Sequence, residues 1–194
     1  MQEDNLQKKD RLEIFKYNVL LSALLFLAST YYLGFSTKYY SFTEYTISQM
    51  SYFLNGRTLS FFNFLFFFKC ILDLGFTMYV FKKFEGKLNL FTSAVWLIAV
   101  LTFGLLGFFP VSQFFYIHWF FAICLFLFWT ISEHAMAKIT GDTGFLWFSN
   151  RLIVVQVTVA AVFIVSGFIN AIFETIYFLM VFLWLTVFVN KYLN

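Results

Sequence analysis

Most of the side chains in this 194-residue chain that could do chemistry stand inside or beside long apolar segments. One of the two histidines, His118, lies in the stretch GFFPVSQFFYIHWFF, eight residues after the only proline, Pro110. A polar or ionisable side chain within an apolar span is costly unless it is paired or faces water. Each such residue is therefore a candidate functional residue.

Five polar residues are predicted to lie at the same end of the apolar segments. Asn63 and His118 are each about one helical turn inside the end of a segment, so their depths are similar. Asn170 and Glu174 stand where the last segment begins, and Ser48 lies in the loop before the second segment. We therefore predict an outward-facing polar pocket formed by these five residues.

A pair of opposite charges, Lys69 and Asp73, stands near the middle of the second apolar segment. Residues four apart lie on one face of a helix, so the two charges can neutralise each other. Three interpretations stay open: an intramembrane ion pair that orders the bundle, a relay for charge or protons, and a contact of either residue with another helix. Because Asn63 lies on a different face of the helix, the pair and the pocket need not form one site.

The stretch SEHAMAK places Glu133, His134 and Lys138 together at the end of the fourth apolar segment. A histidine and a lysine near a helix C-terminus interact favourably with the helix dipole. We therefore expect this stretch to be a solvated helix end.

Motifs for metal, nucleotide or hydrolytic chemistry are missing from the sequence. There is no HExxH motif and no paired-cysteine motif, and the two histidines are predicted to lie a membrane thickness apart, so no metal site or cofactor is expected. Walker, GxGxxG and GxSxG motifs are also missing. Ser48, His118 and Glu174 would formally supply a nucleophile, a base and an orienting group, but their spacing does not show that they meet.

The composition indicates a membrane protein. The chain is 61% hydrophobic and 12% charged, whereas soluble domains are about 25% charged. Its apolar residues come in blocks of about 18 or more, as membrane-spanning helices require. The net charge of +3 is dispersed and forms no basic patch, so nucleic acid is not an expected partner.

The blocks predict an all-α, polytopic integral membrane protein, a bundle of six transmembrane helices. We expect a polar N-terminal tail over 1–13, a single transmembrane domain over 14–190, and a short C-terminal tail over 191–194. The predicted spans are 14–35, 58–81, 88–109, 114–136, 146–168 and 173–190. Pro110 is predicted to end the third span and to turn the chain directly into the fourth.

Small residues in two spans predict close contacts between helices. Gly104 and Gly107 stand in the third span, and Ala160 and Ala161 in the fifth. Small side chains let helix backbones approach each other within a membrane.

The distribution of lysine and arginine predicts the orientation. Most of these residues flank the spans on the side of the two termini, whereas only Lys38 and Arg57 lie on the opposite side. Because positive residues concentrate in cytoplasmic segments, both termini are expected to be cytoplasmic. The protein is then a multi-pass protein of the cell membrane, with the long loop 36–57 external.

Three stretches carry a resemblance to a known family: YTISQMSYFLNGRTLSFFNFLFFF, LLGFFPVSQFFYIHWFF and NAIFETIYFLMVFLWL. They resemble the prokaryotic six-helix membrane proteins classified as domain of unknown function 998 and, more distantly, the damage-regulated autophagy modulator family. The resemblance implies a six-helix bundle but no established activity. The positions that match the family pattern are Ser48, Asn63, Pro110, His118 and Glu174.

These features favour a non-enzymatic membrane protein that binds a lipid or small amphiphile, since an aromatic-lined pocket with few polar groups suits such a ligand. The alternatives are a small proton-coupled transporter and an intramembrane serine-type hydrolase. The expected partners are the lipid bilayer and a bound lipid or amphiphile. The sequence does not indicate an oligomeric state.

Overall fold

The computed structural model describes residues 13–193, which form six long helices and no strand. In chain order, they are α1 (Asn18–Ser36), α2 (Gly56–Lys83), α3 (Leu90–Phe108), α4 (Phe115–Thr140), α5 (Thr143–Ser166) and α6 (Ala171–Phe188). With their flanking turns, all six are long and apolar enough to cross a membrane. The predicted all-α, six-helix membrane fold is therefore confirmed.

Three short helical turns complete the described chain. A 3-10 turn, Ile14–Tyr17, leads into α1, and another, Ser48–Tyr52, lies in the long loop between α1 and α2. A π-helical turn, Val189–Leu193, extends α6. Part of the predicted C-terminal tail thus continues the last helix, and Leu193 is buried. The predicted N-terminal tail, apart from its last residue, and Asn194 lie outside the described residues.

The connections between the helices gather at two ends of the bundle. At one end, which we call the loop end, the backbone N–H of Ala171 donates to the carbonyl of Tyr45 at 2.8 Å, and the Tyr52 hydroxyl donates to the carbonyl of Val111 at 3.2 Å. At the other end, the terminal end, the C-terminal turn meets α2. The long loop 37–55 thus lies over the α3–α4 and α5–α6 connections.

Side-chain caps set the start of three helices. Asn89, Asp142 and Asn170 each accept a hydrogen bond from the backbone N–H three residues later, which satisfies a donor that the helix itself cannot pair. Gly141 and Gly167 adopt the left-handed conformation just after α4 and α5, where glycine ends a helix without steric cost. The last two helices consequently begin earlier than the predicted spans.

Helices α2 and α3 pack closely through glycine. A Cβ atom on Gly107 would lie 2.6 Å from the backbone oxygen of Asn63, and one on Gly104 would lie 2.8 Å from the Cys70 sulfur. Either distance is too short for two non-bonded atoms. These two glycines therefore permit the close helix approach expected for them.

Helix α5 lies at the periphery of the bundle. Only 11% of the most apolar 18-residue stretch of α5 is buried, whereas 50% of the corresponding stretch is buried in α2 and in α3. Val154 and Val165 are among its exposed apolar side chains, which acyl chains would cover in a bilayer. Ala160 and Ala161, which were expected to form a helix contact, instead border the cavity described below.

Candidate functional site: an apolar cavity with a polar end

A cavity of about 420 Å³ lies between α4, α5 and α6 and reaches the loop end of the bundle. Its walls are mainly apolar, with Phe126 on α4, Ala160 on α5 and Phe173 on α6. The volume is in the range of small-molecule sites, which are also mainly apolar with a few polar groups that orient the ligand. We call this space the outer cavity, because it lies beneath the peripheral helix α5.

The outer cavity opens between α4 and α5 toward the surface that acyl chains would contact. Ile123 and Leu127 of α4 line it and are 61% and 53% exposed, and Val157 of α5 lines it and is 56% exposed. A side chain that borders a cavity and is also largely exposed must stand at its opening. An apolar ligand could therefore enter sideways from a leaflet.

His118 lies at the polar end of the outer cavity. The ring is 3% exposed, and Nδ1 lies 2.7 Å from the carbonyl oxygen of Phe109. That carbonyl belongs to the turn that contains Pro110, in which the N–H groups of Gln113 and Phe114 donate to the carbonyl of Pro110. The turn between α3 and α4 thus holds the imidazole in place, while Nε2 is buried without a hydrogen-bond partner.

Glu174 ties the long loop to α6 at the same end of the cavity. Its Oε2 accepts a hydrogen bond from the backbone N–H of Ile47 at 2.6 Å. Asn170 caps α6 one turn earlier, and its amide donates to the carbonyl of Thr43 at 2.8 Å. These contacts hold Thr46 and Ser48 at the rim of the cavity.

Tyr40 also holds this loop in place. Its hydroxyl donates to the carbonyl of Thr46 at 3.1 Å. Burial raises the pKa of the phenol, and the charge of the nearby Glu174 carboxylate adds to the shift. Tyr40 therefore stays a hydrogen-bond donor throughout the neutral range.

The structure brings three of the five predicted pocket residues together. Ser48, His118 and Glu174 all line the outer cavity. Asn170 does not line it but positions Glu174 and the loop. Asn63 is elsewhere, half-buried on α2, with its backbone against α3.

Trp119, Gln156 and Tyr177 also line the outer cavity, and the sequence did not identify them. The indole N–H of Trp119 is buried without a partner. The Tyr177 hydroxyl lies 2.6 Å from the Thr130 hydroxyl and donates to the carbonyl of Phe126. Gln156 could have been found from its position in LIVVQVTV, because an amide within an apolar run needs a partner.

The partner of Gln156 is Glu133, which corrects the expectation of a solvated helix end. Glu133 is fully buried, and its Oε1 accepts a hydrogen bond from Nε2 of Gln156 at 3.0 Å. His134 and Lys138 do face outward, and His134 contacts Asn150 at 2.8 Å. Neighbouring residues on a helix point about 100° apart, so Glu133 is buried against Gln156 of α5, whereas His134 is exposed and contacts Asn150 at the edge of the same helix.

The Lys69 ammonium and the Asp73 carboxylate form a buried ion pair on α2. The Ser22 hydroxyl of α1 also donates to Asp73 at 2.5 Å. The ammonium lies 4.8 Å from the ring centroid of Phe103 and 5.7 Å from that of Phe178, which gives it cation–π contacts. Three other helices thus surround the pair.

The ion pair and the outer cavity are separate sites. Lys69 borders a space of only about 20 Å³, which is comparable to one water molecule. Phe126 and Tyr177 border both this space and the outer cavity, so their side chains form the partition.

The geometry of a serine hydrolase is not assembled between Ser48 and His118. The Ser48 hydroxyl lies 3.5 Å from that of Thr46, and the His118 ring is bonded to Phe109. Glu174 accepts from the Ile47 backbone instead of orienting His118. Within the described range 13–193, no group of three metal-ligating side chains could hold a metal ion.

Comparison with known proteins gives no relative: no family model, no curated protein and no solved structure matches this chain significantly. The resemblance to the family classified as domain of unknown function 998 therefore stays a prediction.

Proposed function

We propose that this chain is a membrane protein that binds a lipid or small amphiphile in the outer cavity, with no catalytic step. The observation that carries the proposal is Nε2 of His118, a buried polar atom without a partner at the polar end of an apolar cavity. Buried polar groups are normally hydrogen-bonded. A ligand whose polar head reaches His118 would supply the missing bond, while its apolar part fills the space between α4 and α5.

We further propose that the loop end faces outward, so that the ligand is taken from the outer leaflet of the cell membrane. Support comes from the positive residues of the terminal end, which include Lys82 and Lys83 at the end of α2 and Lys138 near the end of α4. The loop end has Lys38 and Arg57. This imbalance is typical of a terminal end in the cytoplasm.

Neither alternative function has comparable support. A proton-coupled transporter would need His118, Glu174 or the Lys69–Asp73 pair to handle protons. Aromatic rings and a neighbouring serine surround the pair, and His118 and Glu174 are held by the backbone of Phe109 and Ile47. A serine hydrolase would need Ser48 bonded to His118, and each has another partner.

The test is native mass spectrometry of the full chain purified in mild detergent. The wild-type protein should retain a lipid, and Ala160→Phe should release it, because the new ring would occupy the cavity. Val162→Phe is the matched control: it lies on the same helix, is 60% exposed, and is not among the residues that line the cavity.

Equal lipid retention in Ala160→Phe and Val162→Phe would show that the ligand lies elsewhere. Wild-type protein that carries no lipid and binds no added amphiphile would overturn the proposal.

A further inference from the structure

We infer that the ligand of the outer cavity is a single-chain amphiphile with an uncharged, hydroxyl-bearing head. The inference rests on the proposed function and specifies its ligand. It follows from the hydrogen-bonding capacity left free at the polar end, from the charges that line the cavity, and from the space available for the chain.

The first free group, on His118, is an acceptor. The carbonyl oxygen of Phe109, 2.7 Å from Nδ1, can only accept, so Nδ1 must carry the proton. In a neutral imidazole the other nitrogen then presents a lone pair. A ligand that bonds to Nε2 would therefore do so through an N–H or O–H donor, which an ether or ester oxygen cannot supply.

The second free group, on Trp119, is a donor. The indole Nε1–H can donate but not accept, and it is buried without a partner beside the cavity that its side chain lines. A ligand head that satisfies both groups therefore offers an acceptor as well as a donor. A hydroxyl group has both functions, whereas an ammonium has no acceptor.

The charges around the cavity disfavour an anionic head. Among the described residues that line it, there is no lysine or arginine. A buried anion without a positive partner is strongly destabilised. Phosphate, sulfate and carboxylate heads should therefore bind more weakly than uncharged ones.

The remaining lining is suited to one hydrocarbon chain. The cavity of about 420 Å³ is at the lower end of the range for small-molecule sites. Ala122 on α4 and Ala161 on α5 leave room between the two helices, and the opening beside Leu127 leads into the bilayer. The chain of the ligand can thus extend between α4 and α5.

The test uses four probes with the same oleyl chain and different heads: oleyl alcohol, oleyl methyl ether, oleyl sulfate and oleyl trimethylammonium. Each is titrated against the full chain in an uncharged detergent, and binding is followed by native mass spectrometry. Oleyl alcohol should bind about tenfold more tightly than the ether, because only the alcohol can donate to His118. The sulfate should bind more weakly than either uncharged probe.

A variant tests the donor separately. Trp119→Phe keeps an aromatic ring and removes the N–H, so the affinity for oleyl alcohol should fall about three- to tenfold. Trp147→Phe is the matched control, because Trp147 is exposed and lies outside the outer cavity. The comparison of alcohol with ether uses the wild-type protein, so it does not depend on a variant that folds.

Equal affinity for the alcohol and the ether, or tighter binding of the sulfate or the trimethylammonium probe, would overturn the inference about the head while leaving lipid binding intact. If none of the four probes binds and no lipid is retained, the proposed function itself fails.

Discussion

Two pairs of buried polar side chains, Lys69–Asp73 and Glu133–Gln156, differ in how readily the sequence predicts them. Lys69 and Asp73 are four residues apart on one helix, so their spacing alone predicts that they meet. Glu133 and Gln156 stand on neighbouring helices, and no local spacing relates them. Glu133 was consequently expected in solvent, although it is fully buried.

Removing one member of the Glu133–Gln156 pair should destabilise the bundle. In Gln156→Leu, the buried carboxyl of Glu133 loses its hydrogen bond from Nε2 of residue 156, at a cost of about 1–3 kcal/mol. Thermal unfolding in detergent, followed by near-UV circular dichroism, should give a lower midpoint. Thr158→Val, an exposed site on the same helix, is the control and should leave the midpoint unchanged.

Glu133→Gln should be tolerated. Because this variant keeps an acceptor oxygen and removes only the acidic group, comparison with Gln156→Leu separates loss of the hydrogen bond from loss of charge. Oε2 of Glu133 and Oε1 of Gln156 both lack a partner. An amide at position 133 supplies an N–H donor that an ionised carboxylate does not have. Strong destabilisation by Glu133→Gln would contradict this account of the pair.

At the scale of helices, long apolar stretches predict where the spans occur, whereas capping side chains set the residue at which a helix begins. The sequence predicts the fifth span from residue 146, whereas α5 begins at Thr143 because the Asp142 carboxylate caps it. Asp142 also joins α5 to the end of α6, since its Oδ2 lies 2.6 Å from the Lys191 ammonium and accepts a hydrogen bond from the Tyr192 hydroxyl. Asp142 therefore both caps α5 and forms an ion pair with Lys191 at the end of α6.

Asp142 should make the stability of the bundle depend on pH. Hydrogen bonding to Lys191, and then to the Phe145 N–H, lowers the pKa of the Asp142 carboxyl. A carboxyl whose pKa is lowered by folding contributes stability above its unfolded pKa of about 4, and that contribution is lost as the pH falls below this value. The thermal midpoint of the wild-type protein should therefore fall as the pH decreases from neutral through that range.

Asp142→Asn isolates the charge, because asparagine is also a good N-cap. The variant should melt at a lower temperature than the wild type at neutral pH. The difference should shrink as the pH falls below about 4, where the carboxyl of the unfolded wild-type chain becomes protonated. A constant difference from neutral pH down to about pH 3 would mean that the charge of Asp142 is not responsible.

At the scale of the whole molecule, the loops determine which side chains lie at each end of the bundle. The loop 37–55 carries Ser48 over the α5–α6 connection, where Glu174 fixes the backbone of Ile47. The turn at Pro110 brings His118 to the same place. Three residues far apart in the chain thus line one end of a cavity whose other walls are mainly apolar.

The proposed orientation can be tested with one exposed glutamate at each end. After replacement of Cys70 and Cys124 by serine or alanine, Glu44→Cys at the loop end should react in intact cells with a thiol reagent that does not cross membranes. Glu85→Cys, in the loop between α2 and α3, should react only after the cells are opened. Both side chains are exposed, so accessibility alone cannot explain a difference. The opposite pattern would reverse the orientation.

The sequence by itself determined that this protein has six apolar helices, because crossing a membrane requires long apolar segments and each segment can be read locally. It also indicated the ion pair within α2 and the turn at Pro110. It could not determine which face of each helix meets protein, since lipid tails and protein interiors are both apolar in a membrane. Only the tertiary structure decided that α5 lies at the periphery, that Glu133 is buried, and that Ser48, His118 and Glu174 share one cavity while Asn63 does not.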